Sequence, residues 1–294
     1  MNKWDGEAPM KRVGLVILNY NDSGRTIELL DKIAEYNVWC KIVVVDNKST
    51  DNSVEILKKH TYDNVDVIES EKNGGYSYGN NYGAKYLIDH YNVDICIIAN
   101  PDVQVTEEVI YKMVNGIENE GYSAVAPIML DKDGNYTSRS YRHKGFYQDV
   151  WDYLIPIHFR KKNESFIMSA DASEIVAVQM IPGSLFAIST EALKKINYLD
   201  EDVFLYCEER ILAERLRCQN LQLGLLKNQS FVHLHVDSQD YVARIRQMER
   251  VNRARMYYYN KYQNIGMIKS ILLKGTMTWH MFWYKRYIRK SGIR

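Results

Sequence analysis

The feature that most restricts this chain is a pairing repeated through its first half: a short apolar run, a polar break, then apolar residues at helical spacing. "RVGLVILNYN" leads into "SGRTIELLDKIAEY", where Ile27, Leu30, Ile33 and Ala34 mark one side of a predicted helix. "CKIVVVDNKSTDNSVEILKKH" repeats the scheme, its helix starting near Thr50 or Asp51, and "VDVIES" adds a shorter strand. After the glycine-containing "EKNGGYSYGNNYGAKYLIDHY" come the strand "VDICIIAN" and the helix "TEEVIYKMVNGIENE". The strands read as continuous apolar runs, as burial on both faces demands, so the pattern predicts βαβ units and an α/β fold built on a parallel sheet. Ligands bind such sheets at the carboxyl ends of the strands.

The second half is less regular. "SAVAPIML" predicts a strand and "DKDGN" a turn, after which residues from about Ser138 to Ser173 have weak periodicity. Their aromatics favour a functional loop or lid over a disordered linker. "EIVAVQMIPGSLFAIS" reads as strand, turn, strand; "TEALKKI" and "YCEERILAERLRCQN" as helices; "LQLGLLKNQSFVHLHVDS" as a return to strand.

At 294 residues the chain is long enough for one large α/β domain, or a domain with an appendage. No apolar segment approaches the roughly 20 residues of a membrane-spanning helix, and "MNKWDGEAPMKR" lacks a signal-peptide core, so a cytosolic protein is expected. Cys40, Cys96, Cys207 and Cys218 have no CxxC spacing and are expected to be neither metal ligands nor disulfides. The net charge of +1 conceals an asymmetry: residues 244–294 hold 13 Lys and Arg against Glu249 alone, a net +12, leaving −11 on residues 1–243. The expected division is therefore a main domain at 1–243 and a basic, aromatic helical extension at 244–294.

Asp46 and Asp102 each follow an apolar strand and precede a helical stretch, which puts both on the ligand-binding edge of the sheet. Taken singly, each could be a helix cap or turn residue. "VILNYN", "IVVVDNKSTDNS", "NGGYSYGNNYGA", "ANPDV", "PGSLFAIS" and "LYCEERILAERLR" nevertheless occur in an order and at a spacing that resembles family 2 glycosyltransferases of the GT-A fold, rhamnosyltransferase-like members above all. The resemblance covers about residues 12 to 240.

The resemblance implies roles for individual residues. Asp46 looks like the acid that accepts the imide N–H of uracil or thymine, with Asn19, Tyr20 and Asn21 as the wall beside that base. Asn73, Gly74 and Gly75 resemble a turn where backbone approaches the nucleotide, an ordinary tight turn being the simpler reading. Asn80 and Asn81 are expected on a helix surface. Asn100 and Gly183 join the donor-binding set. Asp102 matches the metal-binding carboxylate for Mg²⁺ or Mn²⁺, although Asn100 stands where an acid is often found. Glu209 matches the base that takes the proton of an attacking sugar hydroxyl, with Glu where Asp is usual, and Glu208 is the fallback. The simpler reading of this pair is favourable charge at a helix N-terminus. His235, with Ser238 downstream, resembles a histidine that completes the metal site, and His233 is a weaker candidate.

The extension interleaves basic residues with Tyr257, Tyr258, Tyr259, Tyr262, Trp279, Phe282, Trp283, Tyr284 and Tyr287. In-plane association with an anionic membrane is the favoured reading, with packing on the catalytic domain or a homo-oligomer contact as the structural alternative. No recognised nucleic-acid module accompanies these residues, and nucleic acid is not expected as a partner. The expected activity is inverting, metal-dependent transfer of a sugar from a UDP- or dTDP-linked donor to a lipid-linked bacterial surface glycan, near the inner face of the cell membrane. Competing readings are a nucleotidyltransferase, which "NYNDSGR" fits poorly, and a catalytically degenerate scaffold that binds nucleotide sugar.

Overall fold

A computed structural model describes residues 11–60, 62–137, 141–155, 173–234 and 240–290. Four parallel strands form one half of the sheet: β1 (Val13–Asn19), β2 (Trp39–Asp46), β3 (Val65–Glu69) and β4 (Ile95–Ala99), in the order β3-β2-β1-β4. The other half is mixed. β8 (Leu185–Ser189) runs antiparallel to β4 and to β6 (Ala124–Leu130), and β6 is parallel to β9 (Leu223–His233). β9 in turn takes the two short antiparallel strands β5 (Val103–Gln104) and β7 (Ile175–Val178). The parallel reading thus holds for the βαβ half. In the second half β8 reverses direction.

The continuous apolar strands bury both faces, as their sequences require. One face packs against α1 (Ser23–Ile33), α2 (Ser53–Lys59) and α4 (Glu107–Glu118), through Leu30, Leu57 and Met113 among others. The opposite face packs against α3 (Gly75–Tyr91), α6 (Thr190–Lys195) and α7 (Glu208–Cys218), through Leu87, Leu193 and Leu216. At Gly83 a Cβ would lie 2.6 Å from Val16 and 2.7 Å from Val45, so glycine there lets α3 approach the sheet closely.

The stretch expected to be irregular contains α5 (Phe146–Leu154). Its buried Asp149, Val150 and Tyr153 are long-range contacts that local periodicity does not report. Val150 and Tyr153 join Ile211 of α7 and Tyr258, Tyr259, Leu273 and Met277 in a third apolar cluster. The last four come from α8 (Tyr241–Lys261) and α9 (Met267–Lys290). Part of the extension therefore packs on the rest of the chain, with Tyr258 and Tyr259 fully buried. Among the described residues no helix is long and apolar enough to cross a membrane.

Candidate active site

The carboxyl ends of the parallel strands bring the first group of candidate residues together. Asn19, last in β1, pairs in register with Asp46, last in β2, and both are fully buried. The Asp46 carboxylate accepts Asn19 Nδ2 at 2.7 Å, Ser49 Oγ at 2.6 Å and Ser49 N at 2.8 Å. A carboxylate offers about four acceptor positions, so the donors described leave room for one external N–H. Thr26 Oγ1 donates to Asn19 Oδ1 at 2.9 Å and fixes the amide. Tyr20 is 44% exposed beside this group. Asn21 adopts φ 53°, a region asparagine tolerates, and exchanges hydrogen bonds with Thr50 at 3.0 and 2.7 Å. Neither strand-end acid caps a helix, since α2 starts behind Asn52 and α4 behind Thr106.

The glycine turn serves a contact that its sequence does not disclose. Asn73 Oδ1 accepts Gly75 N and Asn47 Nδ2, each at 3.2 Å, and Gly74 precedes the first residue of α3. Gly75 has φ +87°, and a Cβ there would stand 2.1 Å from the carbonyl oxygen of Phe204. Tyr76 N donates to that same oxygen at 2.9 Å. The space left by the missing side chain is thus filled by the 202–207 loop. Gly75→Ala is expected to displace that loop and to cost at least about 1–2 kcal/mol from the left-handed backbone alone, read as a fall in Tm. Asn80 and Asn81, expected on the surface, are buried instead. Asn81 donates to Leu199 O and accepts Leu199 N, both at 2.9 Å, which pins the chain leading into the same loop.

Opposite this turn lie the acids of α7. Tyr206 and Cys207, with φ of 75° and 64°, are strained at about 1–3 kcal/mol each and swing the chain so that Glu208 and Glu209 start the helix. Glu208 Oε1 turns back to accept Tyr206 N at 2.5 Å. Burial, with the charge of Glu209 beside it, pushes the Glu208 carboxyl well above its ordinary range. Glu209 lines the same cavity as Glu208 and lies against Gly183, where a Cβ would stand 3.2 Å from its Cγ and 3.3 Å from Oε1. Tyr76 Oη donates to Gly183 O, which ties α3 to that turn. Burial and both glutamates raise the Tyr76 hydroxyl well above its usual pKa, so it stays a donor. Asn100 N is held by Ser184 O at 2.8 Å.

Asp102 sits in the turn between β4 and β5. Val103 pairs with His233, and Leu234 N donates to Asp102 O at 2.8 Å, which brings His233 Nε2 to 3.1 Å from Asp102 Oδ1. The favoured His235, with Ser238, lies outside the described residues, so the imidazole placed beside Asp102 is the weaker sequence candidate. Carboxylate plus imidazole suits Mn²⁺, and the carboxylate suits Mg²⁺. Among the described residues no group of three or more His, Cys, Asp or Glu gathers around them. Asp102 and His233 are thus two neighbouring groups of the kinds that bind divalent ions.

Behind the acids runs a buried ionic group not anticipated from sequence. Arg210 directs its guanidinium to Asp149 of α5, with Nη2 3.0 Å from Oδ1. Tyr259 Oη donates to Asp149 Oδ2 at 2.6 Å, and Arg255 Nε lies 3.9 Å from it. Burial alone would raise Asp149, but the Arg210 hydrogen bond, the charges of Arg255 and Arg210, and the Tyr259 hydrogen bond hold it below the usual range. The helix carrying the acids is thereby fixed to α5 and α8.

The profile described as "Glycosyl transferase family 2" matches residues 15–196, more than half of the chain. The chain is a family 2 glycosyltransferase. The sequence of this transferase is 27% identical over 222 residues to the low-salt glycan biosynthesis hexosyltransferase Agl10 of Haloferax volcanii, covering 75% of this chain and 66% of that protein. It is 21% identical over 238 residues to the rhamnosyltransferase WbbL of Escherichia coli, covering 79% and 87%. The transferase has the GT-A fold of its structural neighbours. GalNAc-T7, solved with UDP, GalNAc and Mn²⁺, gives a TM-score of 0.59 at 15% identity, over 94% of this chain and 56% of that one. The mannosyltransferase PcManGT of Pyrobaculum calidifontis, solved with GDP-Man and Mn²⁺, gives 0.59 at 16% identity, over 99% and 78%.

Proposed function

We propose that this glycosyltransferase moves a hexosyl or rhamnosyl group from a UDP- or dTDP-sugar to a growing lipid-linked glycan of a bacterial surface polysaccharide, with inversion at the anomeric carbon and at an anionic membrane surface. The observation that carries the reading is the meeting of Glu209 with Gly183 and Tyr76, across the glycine turn from the strand-end residues Asn19 and Asp46. The relatives named for hexosyl and rhamnosyl transfer support the sugar class, and the basic extension supports the membrane.

In this reading Asp46 receives the N–H of the base, while Asn19, Tyr20 and Asn21 wall it. The turn at Asn73, Gly74 and Gly75, with Asn100 and Gly183, borders the rest of the donor. The Glu209 carboxylate accepts the proton of the acceptor hydroxyl as that oxygen attacks the anomeric carbon, opposite the departing nucleoside diphosphate. One displacement inverts the configuration. Asp102 would hold a divalent metal with His233, and with His235 if that residue joins them. When bound, Mg²⁺ or Mn²⁺ neutralises charge that develops on the leaving diphosphate. The second reading, a scaffold that binds nucleotide sugar without turnover, draws on Asn100 and on Glu209 in place of Asp.

A thermal-shift panel of UDP, dTDP, GDP and CDP with and without Mn²⁺ tests the donor half. A ligand at about 100 times its Kd stabilises the fold by about 2.7 kcal/mol, a rise of several degrees. The expected result is a metal-dependent rise with UDP or dTDP, lost in Asp102→Asn and shifted to about 10–100-fold higher Mn²⁺ in His233→Ala. A full metal-dependent rise in Asp102→Asn would remove that residue from the metal site. Binding without transfer to any acceptor would favour the scaffold.

A further inference from the structure

Helix α9 is apolar on two opposite sides. Leu273, Thr276, Met277, His280 and Ile288 form its buried stripe. Ile268, Ile271, Leu272, Trp279 and Phe282 recur at i, i+3, i+4, i+11 and i+14, which places them together on the other side. They are 85%, 64%, 44%, 47% and 49% exposed. Helix α5, packed against α9, repeats the design: Val150 and Tyr153 are buried, while Tyr147, Trp151 and Leu154, at i, i+4 and i+7, are exposed. Lys269, next to Ile268, lies 5.6 Å over the rings of both Phe146 and Tyr147, so the two helices meet at that end beside the exposed Ile268 and Tyr147. An exposed apolar patch of this breadth is uncommon on a soluble monomer.

We propose that the outer sides of α5 and α9 form one platform that lies in the interface of an anionic phospholipid bilayer, with Trp151, Trp279 and Phe282 entering the headgroup–acyl boundary. The proposal rests on the membrane-surface reading above and gives it a specific face. Charge selects this occupant. α9 carries Lys269, Lys274, Lys285, Arg286, Arg289 and Lys290 and no acid. Two copies meeting through this side would bring those cations together without a counter-charge, whereas anionic headgroups supply one. Tryptophan suits the boundary because its ring is apolar and its N–H polar. The same packing fixes the membrane relative to the acids, because α5 holds Arg210 through Asp149. The acceptor is thereby met at a set height above the lipid.

Co-sedimentation of the full chain with phosphatidylcholine vesicles, with and without phosphatidylglycerol, tests the platform. Binding should require phosphatidylglycerol, weaken by about fivefold for each of Lys285→Gln and Arg286→Gln, and fall at least tenfold in a Trp279→Asp, Phe282→Asp double variant. Trp151→Asp should weaken it too. These side chains are exposed, so Tm and the nucleotide-dependent shift should be unchanged, which keeps the donor reading separate. If the double variant bound vesicles like the wild type while Arg246→Glu and Arg250→Glu on α8 abolished binding, the membrane reading would stand and the platform would be overturned. No wild-type binding would overturn both. So would a wild-type dimer that the double variant splits with no lipid binding, since the face would then belong to a second copy.

Discussion

Replacing Glu209 with glutamine is expected to lower kcat by about 10²–10⁴-fold, the usual contribution of a general base, while the metal-dependent thermal shift with donor nucleotide persists. Glutamine keeps the length and the contact with Gly183 but cannot accept a proton. Glu208→Gln is the discriminating partner. Glu208 spends Oε1 on the Tyr206 N–H, a bond that a glutamine oxygen can also accept. Glu208→Gln should therefore retain most of the transfer. If the two variants exchanged these outcomes in single-turnover assays, Glu208 would be the base.

Asp149→Ala is expected to destabilise the fold by about 3–5 kcal/mol, because it strands the buried Arg210 guanidinium and removes the acceptor of Tyr259. Thermal unfolding would register that as a fall of roughly 10 °C, at about 2–4 °C per kcal/mol for a chain of this size. The sign with pH follows from the depressed carboxyl. Its contribution is fully present above the ordinary aspartate pKa and is lost as pH falls through the lower folded value, so it is flat around neutrality. The wild type should thus lose its margin over Asp149→Ala only in acid. Equal Tm values for the two at pH 7 would mean that Arg210 finds another partner at little cost.

What could be read from the sequence was set by local chemistry. The runs leading to Asn19, Asp46 and Ala99 carry four or more consecutive apolar residues or glycine, so their strands and shared edge followed from pattern alone. Glu208 and Glu209 were legible as a helix start because acids and a 3.6-residue apolar spacing coincide there. The two-residue strand β5 has no pattern, and α5 is held by partners about 60 and 110 residues away, Arg210 and Tyr259. Asn80 and Asn81 misled because amides usually face water, whereas here Asn81 replaces a missing backbone ladder beside Leu199. That His233 stands beside Asp102 follows from its pairing with Val103, a register that spacing in β9 cannot supply. The reason for Gly75 was likewise hidden, since Phe204 is 129 residues further on.

That last contact makes the turn at Gly75 and the loop before α7 mechanical partners. The turn at residues 73–75 and the loop leading to the acids share one carbonyl, Phe204 O, which fills the notch at Gly75 and receives the Tyr76 N–H. On the reading proposed above, a nucleotide that ordered the turn would order the approach to Glu209 as well, and an acceptor that steadied the loop would return the same free energy to the donor.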